Sequence, residues 1–270
     1  MAVTIERERI PRSVAVRKEL INWQRFTQVA IAVGVLLVWE LVGRRVGDFI
    51  LAPPSSVVEA TGEMITNGEL IAAIRDSAIS LFLGYGLAAV IGIGVGFLMG
   101  WYRPIGKVLD PYVSALYVVP MAALVPVLII WFGLGLTPRV LSVLLFAVFE
   151  ILISTYTGVK NVDPMLVDVA RSFGAKRTEL LRKVVFFGSL PYIFAGLRMG
   201  AARAIKGMIV AELLFAVTGI GGAIQKAANY YRTDKVFVYV IVLAIMGVLL
   251  AGMVQMIERR MTPWRQERSA

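Results

Sequence analysis

Cysteine and histidine are both absent from the 270 residues. The first absence excludes disulfides and thiol chemistry, and the second removes the commonest metal ligand and the side chain that titrates near neutral pH. No metal-binding residues are therefore assigned. Charge is scarce too: Asp, Glu, Lys and Arg make up 17% of the chain, against about 25% in soluble domains. A phosphate-binding loop is also missing. Five residues separate Gly100 from Gly106-Lys107, and Val108 follows, whereas a nucleotide loop needs four residues and then a Ser or Thr for magnesium. The chain is expected to bind no ATP or other cofactor itself and to have no catalytic residues.

What is abundant is apolar length. Hydrophobic residues are 58% of the chain, and runs of about 20 of them can each cross a hydrocarbon core of about 30 Å as a helix. Six such runs stand at 27–46, 77–102, 110–133, 138–158, 191–217 and 235–257. An all-α membrane protein with six transmembrane helices follows. The first 26 residues are too charged and too poor in apolar residues for a cleavable leader, so the first run is expected to stay as an anchor.

Basic residues orient the spans, because Lys and Arg flanking them stay cytoplasmic. Eighteen of the 28 lie before the first span, in the second and fourth connections and after the last span, against seven on the other side. Both termini are expected to be cytoplasmic. The net charge of +10 is explained by this asymmetry, so no nucleic-acid partner is inferred. The chain divides into a basic cytoplasmic tail (1–26), the first span with an outer connection (27–69), a transmembrane core (70–258) that includes a cytoplasmic loop (160–191), and a cytoplasmic C-terminal tail (259–270).

Within the spans, small residues and breakers stand out. Gly84, Ala88, Gly92, Gly96 and Gly100 form one stripe at helical spacing, either a fixed packing seam or a sliding contact between helices. The third span carries Pro120 and Pro126 in its interior, and interior prolines each remove a helix hydrogen bond. With Tyr117 and Ser114 they make this span a candidate pathway wall or, equally, a kinked structural helix. Ionisable residues are few: Glu150 and Glu212 lie deep, whereas Arg198, Arg203 and Lys206 fall in the first half of the fifth run, near its cytoplasmic side. A deep charge is a functional candidate by default. Snorkelling of the bases, and a pairing of Glu212 with an Arg or Lys of another helix, are the structural alternatives.

The loop at 160–191 turns polar, basic and helical. Asp163 suits an N-cap, Pro164 the first helical position, and Gly174 a left-handed stop. A second short helix follows, with Leu180, Leu181, Val184 and Val185 on one face. Two short helices joined at a glycine make a compact knob, suited to another protein or to a lipid surface.

The spacing here resembles the EAA loop of ABC importer permeases: Glu-Ala-Ala, three residues, Gly, nine residues, Ile, one residue, Leu-Pro. Asp168-Val169-Ala170, Gly174 and Val184 occupy those positions; Phe186-Phe187 replace the first Leu-Pro, and Leu190-Pro191 supply a second one found in the nitrate, sulfonate and taurine branch. Further similarity to that branch lies at Leu51-Ala52-Pro53-Pro54-Ser55, Trp131-Phe132-Gly133, Gly196-Leu197-Arg198, Ala211-Glu212 and Thr218-Gly219-Ile220-Gly221. Glu150 departs from it, standing where many relatives have proline.

This resemblance implies a type I ABC importer permease fold in a bacterial inner membrane. It implies a homodimer with two cytoplasmic ATPase subunits, which carry ATP and magnesium, and a periplasmic or lipid-anchored solute-binding protein. The coupling loop would use Asp168 and Ala170 as its docking face, Gly174 as its turn, Val184 behind it, and Leu190-Pro191 as the junction to the fifth span. Candidate pathway or substrate residues are Tyr117, Pro120, Pro126, Glu150, Arg203, Lys206 and Glu212. A small anion such as a sulfonate, taurine or nitrate is the implied solute, with a vitamin precursor or other organic solute as the alternative. An ion-gradient-driven transporter is the rival class; it calls for inverted repeats and paired membrane carboxylates, and no repeat is evident.

Overall fold

The computed structural model describes residues 13–215 and 218–263. The N-terminal tail to residue 12, the end of the C-terminal tail and the expected end of the fifth span at Val217 lie outside the described residues. Among the described residues every regular element is a helix: α1 (Ser13–Val46), α2 (Pro54–Thr66), α3 (Glu69–Trp101), α4 (Arg103–Val118), α5 (Met121–Phe132), α6 (Leu136–Lys160), α7 (Pro164–Ser172), α8 (Arg177–Glu179), a π-helical turn (Leu180–Val185), α9 (Phe186–Phe215), α10 (Gly219–Asn229) and α11 (Thr233–Met261). Five segments are long and apolar enough to span a membrane singly: 26–46, α3, α6, the continuous helix from Arg177 to Leu214, and α11. A sixth span is the bent pair α4–α5.

That bend corrects the third span, read above as one helix over 110–133. The chain enters helix already at Arg103 and breaks at Val119-Pro120, where α5 departs at 93° to α4. Pro120 is the cause. Its ring disfavours the helical region for the residue before it, and Val119 is accordingly extended, at φ −61°, ψ 130°. Pro111 and Pro126 stay inside helices.

The core is a three-helix layer with α6 in the middle. On one side the glycine stripe of α3 lies against α6 in parallel register. A Cβ at Gly84 would sit 2.5 Å from the Val143 Cβ, one at Gly92 2.9 Å from the Ile151 Cβ, and one at Gly100 2.5 Å from the Val159 Cβ. On the other side α9 runs antiparallel, with Gly196 against Ser154, Gly200 against Ile151 and Gly207 against Phe146. Lipid gives helices no hydrophobic reason to associate, so contact depends on backbones approaching closely along such seams. Leu81, Val143, Ile151, Phe194 and Met208 fill the layer.

At the end of the bundle where α6 begins, a second cluster packs α2, α10 and the ends of α3 and α11 through Met64, Leu70, Ile220 and Tyr239. By contrast α1 is exposed over most of residues 26–46. It is fixed near its C-terminal end, where Gly43 meets the Pro53 backbone, Trp39 Nε1 donates to the Ala52 carbonyl at 3.1 Å, and the Trp39 ring lies 5.2 Å from Phe237. Glu40 then accepts from the Ser55 amide at 3.1 Å, closing one of the open N–H groups that begin α2. The same carboxylate bonds Arg44 one turn on.

Candidate functional site

Three candidates from different helices converge. Tyr117, one turn before the break after α4, donates to Glu150 Oε1 of α6 at 3.1 Å, and Arg203 Nη2 of α9 meets the same oxygen at 2.9 Å. Glu150 is 6% exposed, whereas the Arg203 side chain is half exposed. Lys206 follows three residues later, exposed and without a partner among the described residues. Residues three apart are neighbours on a helix surface, so both cations share one face of α9.

The level of this cluster along the bundle follows from how α9 packs on α6. The helix that carries the fifth span is not confined to 191–217: it begins at Arg177 and runs through Pro191. Gly200 is level with Ile151 and Gly207 with Phe146, which sets Arg203 opposite the middle of α6. At about 1.5 Å per residue, Glu150 is roughly 15 Å from the Lys160 end of that helix and roughly 20 Å from the other. The break at Pro120 stands at the same level, three residues beyond Tyr117; Pro126 is exposed on the far arm, where α5 packs Val125 beside Ala211. Arg198, by contrast, pairs with Glu258 of α11.

Glu212 occupies a different place, fully buried at the α10 end. Its Oε2 accepts from Ser77 Oγ at 2.8 Å and from the Gly221 amide at 2.9 Å, and Ser77 Oγ in turn accepts from the Ile220 amide at 2.8 Å. The first N–H groups of a helix have no partner inside it, and Thr218 makes no side-chain cap. So α10 is capped by α3 and α9. A carboxylate there also suits the positive end of the helix dipole. Gly219, at φ +78°, and Gly221 have no room for a Cβ, which would fall 2.5 Å from Glu212 in each case. Arg139 Nη1 lies 3.8 Å from Glu212 Oε1, and both atoms are buried without a hydrogen bond. Glu212 thus touches neither Glu150 nor Arg203. Sequence reasoning missed Ser77 and Arg139; the Gly-Ile-Gly after a deep Glu was the available signal.

The polar loop forms one short helix rather than two. Asp163 Oδ1 accepts from the Met165 amide at 2.9 Å. Gly174, at φ +77°, ends α7, with its amide donating to Arg171 and that of Ala175 to Ala170, the paired bonds of a Schellman cap. The expected second helix is instead the start of the fifth span, joined through the π-helical turn, so Leu190-Pro191 lie inside a continuous helix and form no junction. Leu180, Val185 and Leu190 are buried; Val184 is half-buried. No residue of α7 is buried. Asp168 is exposed, Ala170 partly so, and Met165, Leu166, Val169 and Phe173 present apolar surface, Phe173 at 87% exposure. Behind this knob the Arg177 guanidinium stands over the Trp101 and Tyr102 rings at 5.6 and 5.4 Å, tying it to the end of α3.

A bundle of membrane-length helices, one of them broken beside a charged cluster, with an exposed apolar knob at one end, has the form of a multi-pass membrane protein. Residues 88–263 match the family described as "Binding-protein-dependent transport system inner membrane component", and the chain belongs to it: it is an ABC importer permease. The taurine transport system permease protein TauC of Escherichia coli (strain K12) is 32% identical over 257 residues, covering 91% of this chain and 94% of that one. A relative named "Putative aliphatic sulfonates transport permease protein SsuC", of Bacillus subtilis (strain 168), is 33% identical over 233 residues, covering 86% and 84%. In fold the chain is similar to an inward-facing MetNI methionine ABC transporter, with a TM-score of 0.61 at 18% identity over 72% of this chain and 96% of that one.

Proposed function

We propose that two copies of this chain enclose the pathway of an importer for small organic anions of the sulfonate class. The observation that carries this is the pair Arg203 and Lys206, exposed at the level of the middle of α6. A charge facing lipid at mid-depth is costly, and such residues almost always line a bundle interior or a water-filled cavity. The face of α9 that bears them therefore borders the solute's route, with the broken α4–α5 helix beside it. Irregular backbone at membrane depth is likewise tolerated where it lines a cavity. The names of the taurine and sulfonate permeases support the same solute class.

In this reading the α7 end is cytoplasmic, as the basic residues around it favour, and both termini lie on that side of a bacterial inner membrane. Two ATPase subunits dock on the exposed apolar residues of α7 and its Asp168-Val169-Ala170 segment, and they carry the ATP and magnesium. A solute-binding protein delivers the anion at the α10 end. Closure of the ATPases shifts the bundle between access states through their differential contacts with the two. Movement of α7 reaches α3 through Arg177 and α9 through the continuous helix.

Reconstitution with the cognate ATPase and binding protein tests this. ATP-dependent uptake of a labelled alkanesulfonate is expected in the wild type, and its loss in Arg203→Ala/Lys206→Ala while the ATPase still copurifies. Equal uptake by that variant, or no sulfonate uptake by the wild type, overturns the assignment.

A further inference from the structure

The contacts around Glu150 leave half of its carboxylate open. Arg203 and Tyr117 both meet Oε1, and Oε2 has no partner among the described residues. Arg203 offers one Nη2 contact to it, out of the five N–H donors of a guanidinium. Lys206, on the same helix face, has no partner among the described residues. One negative acceptor, Glu150 of α6, thus stands beside Arg203 at the level of the middle of α6, and Arg203 and Lys206 share the α9 face assigned to the solute's route.

A plain anion needs only the two cations. For such a solute a fixed carboxylate is a repulsive element, of the kind that sets specificity by penalising the wrong ligand. The carboxylate becomes an attractive group only for a solute that also carries a cation. Tyr117 reinforces this: its hydroxyl holds the carboxylate by Oε1, the oxygen Arg203 also meets, and makes no bond to Oε2.

We infer that Glu150, Arg203, Lys206 and Tyr117 form a solute site in the permease itself, selective for small zwitterions that carry an ammonium together with an anionic group. The ammonium takes Glu150 Oε2, the anionic group takes Arg203 and Lys206, and Tyr117 is the positioning residue for the carboxylate. The inference rests on the pathway reading above and narrows its solute class.

The test is equilibrium binding to the full permease–ATPase complex in lipid nanodiscs, without a binding protein. Radiolabelled 2-aminoethanesulfonate is the probe, with ethanesulfonate and ethylammonium as competitors. The expected result is that the amino-sulfonate binds at least about tenfold tighter than either competitor, since it alone can make charge-assisted hydrogen bonds at both ends. Glu150→Gln should remove that preference while leaving ethanesulfonate binding unchanged or improved, and Tyr117→Phe should weaken the preference in part. Equal affinities in the wild type, absence of binding, or a preference that survives Glu150→Gln each overturns the inference. Should Glu150→Gln fail to assemble, the wild-type competition alone decides. ATPase copurification in the same preparations reads the importer assignment separately: a complex that assembles and hydrolyses ATP without the preference defeats this inference only.

Discussion

Replacing Ser77 with alanine should release the start of α10. The hydroxyl makes two buried bonds at once, donating to Glu212 Oε2 and accepting from the Ile220 amide, each at 2.8 Å. Losing the first removes a hydrogen bond to a charged group, about 1.5–3 kcal/mol, and losing the second strands a buried N–H at about 1–3 kcal/mol. Some relaxation of the short α10 offsets this, and about 3 kcal/mol is the working figure. At a factor of ten per 1.4 kcal/mol, amide exchange at 220 and 221 should quicken by about 100-fold in nanodiscs. Ser142→Ala is the matched control. Ser142 is equally buried, but its hydroxyl donates only to the Pro138 carbonyl of its own helix, so exchange at those amides should not move. If Ser77→Ala leaves protection at 220 and 221 within threefold of wild type, the capping of α10 by α3 and α9 is wrong.

The glycine seam gives a paired comparison. Gly96→Ala would place a Cβ 2.5 Å from the Leu152 carbonyl and should cost about 1–3 kcal/mol by overpacking, lowering the thermal midpoint. Gly94→Ala, two residues away with nothing within 4 Å, should leave the midpoint unchanged or raise it. Because the chain lacks cysteine, spin labels can be introduced directly at Tyr112 and Trp131, both exposed. Pro120→Ala, which frees Val119 to return to helix, should lengthen the distance between them, and an unchanged distance would show that another contact sets the bend. At the end of α7, Phe173→Asp at a highly exposed position should abolish ATPase copurification without altering the permease's melting, whereas retained copurification would move the docking face elsewhere.

Much of this molecule could be read from residue types, because bilayer crossing and helix ends are local physics. Apolar length located the spans. Asp163, Pro164 and Gly174 marked both ends of α7, since capping depends on a few adjacent residues. What escaped the sequence was set by distant neighbours. Pro191 suggested a boundary, yet the helix passes through it, supported by Leu190, Ile193 and Phe194 packed in the core. Pro120 announced a break, but its 93° angle depends on where α5 finds Phe146 and Ala211. The short helices α2 and α10, read only as connections, have capping partners 15 and 9 or more residues away in Glu40, Glu212 and Ser77. Tyr117, Glu150 and Arg203 were each singled out by type and depth, and only the packing of α4, α6 and α9 brings them together.

The most direct test of the account is ATP-driven transport through the α7 knob. The permease is purified with its ATPase in nanodiscs, and ATP hydrolysis and copurification are compared between wild type and Gly174→Asp. The left-handed conformation at Gly174, φ +77°, costs a residue with a side chain about 1 kcal/mol or more, and the added carboxylate stands beside the docking surface. The account predicts an active copurifying ATPase in the wild type and lost coupling in a variant that stays folded. No associated ATPase, or a variant that couples like wild type, would contradict it.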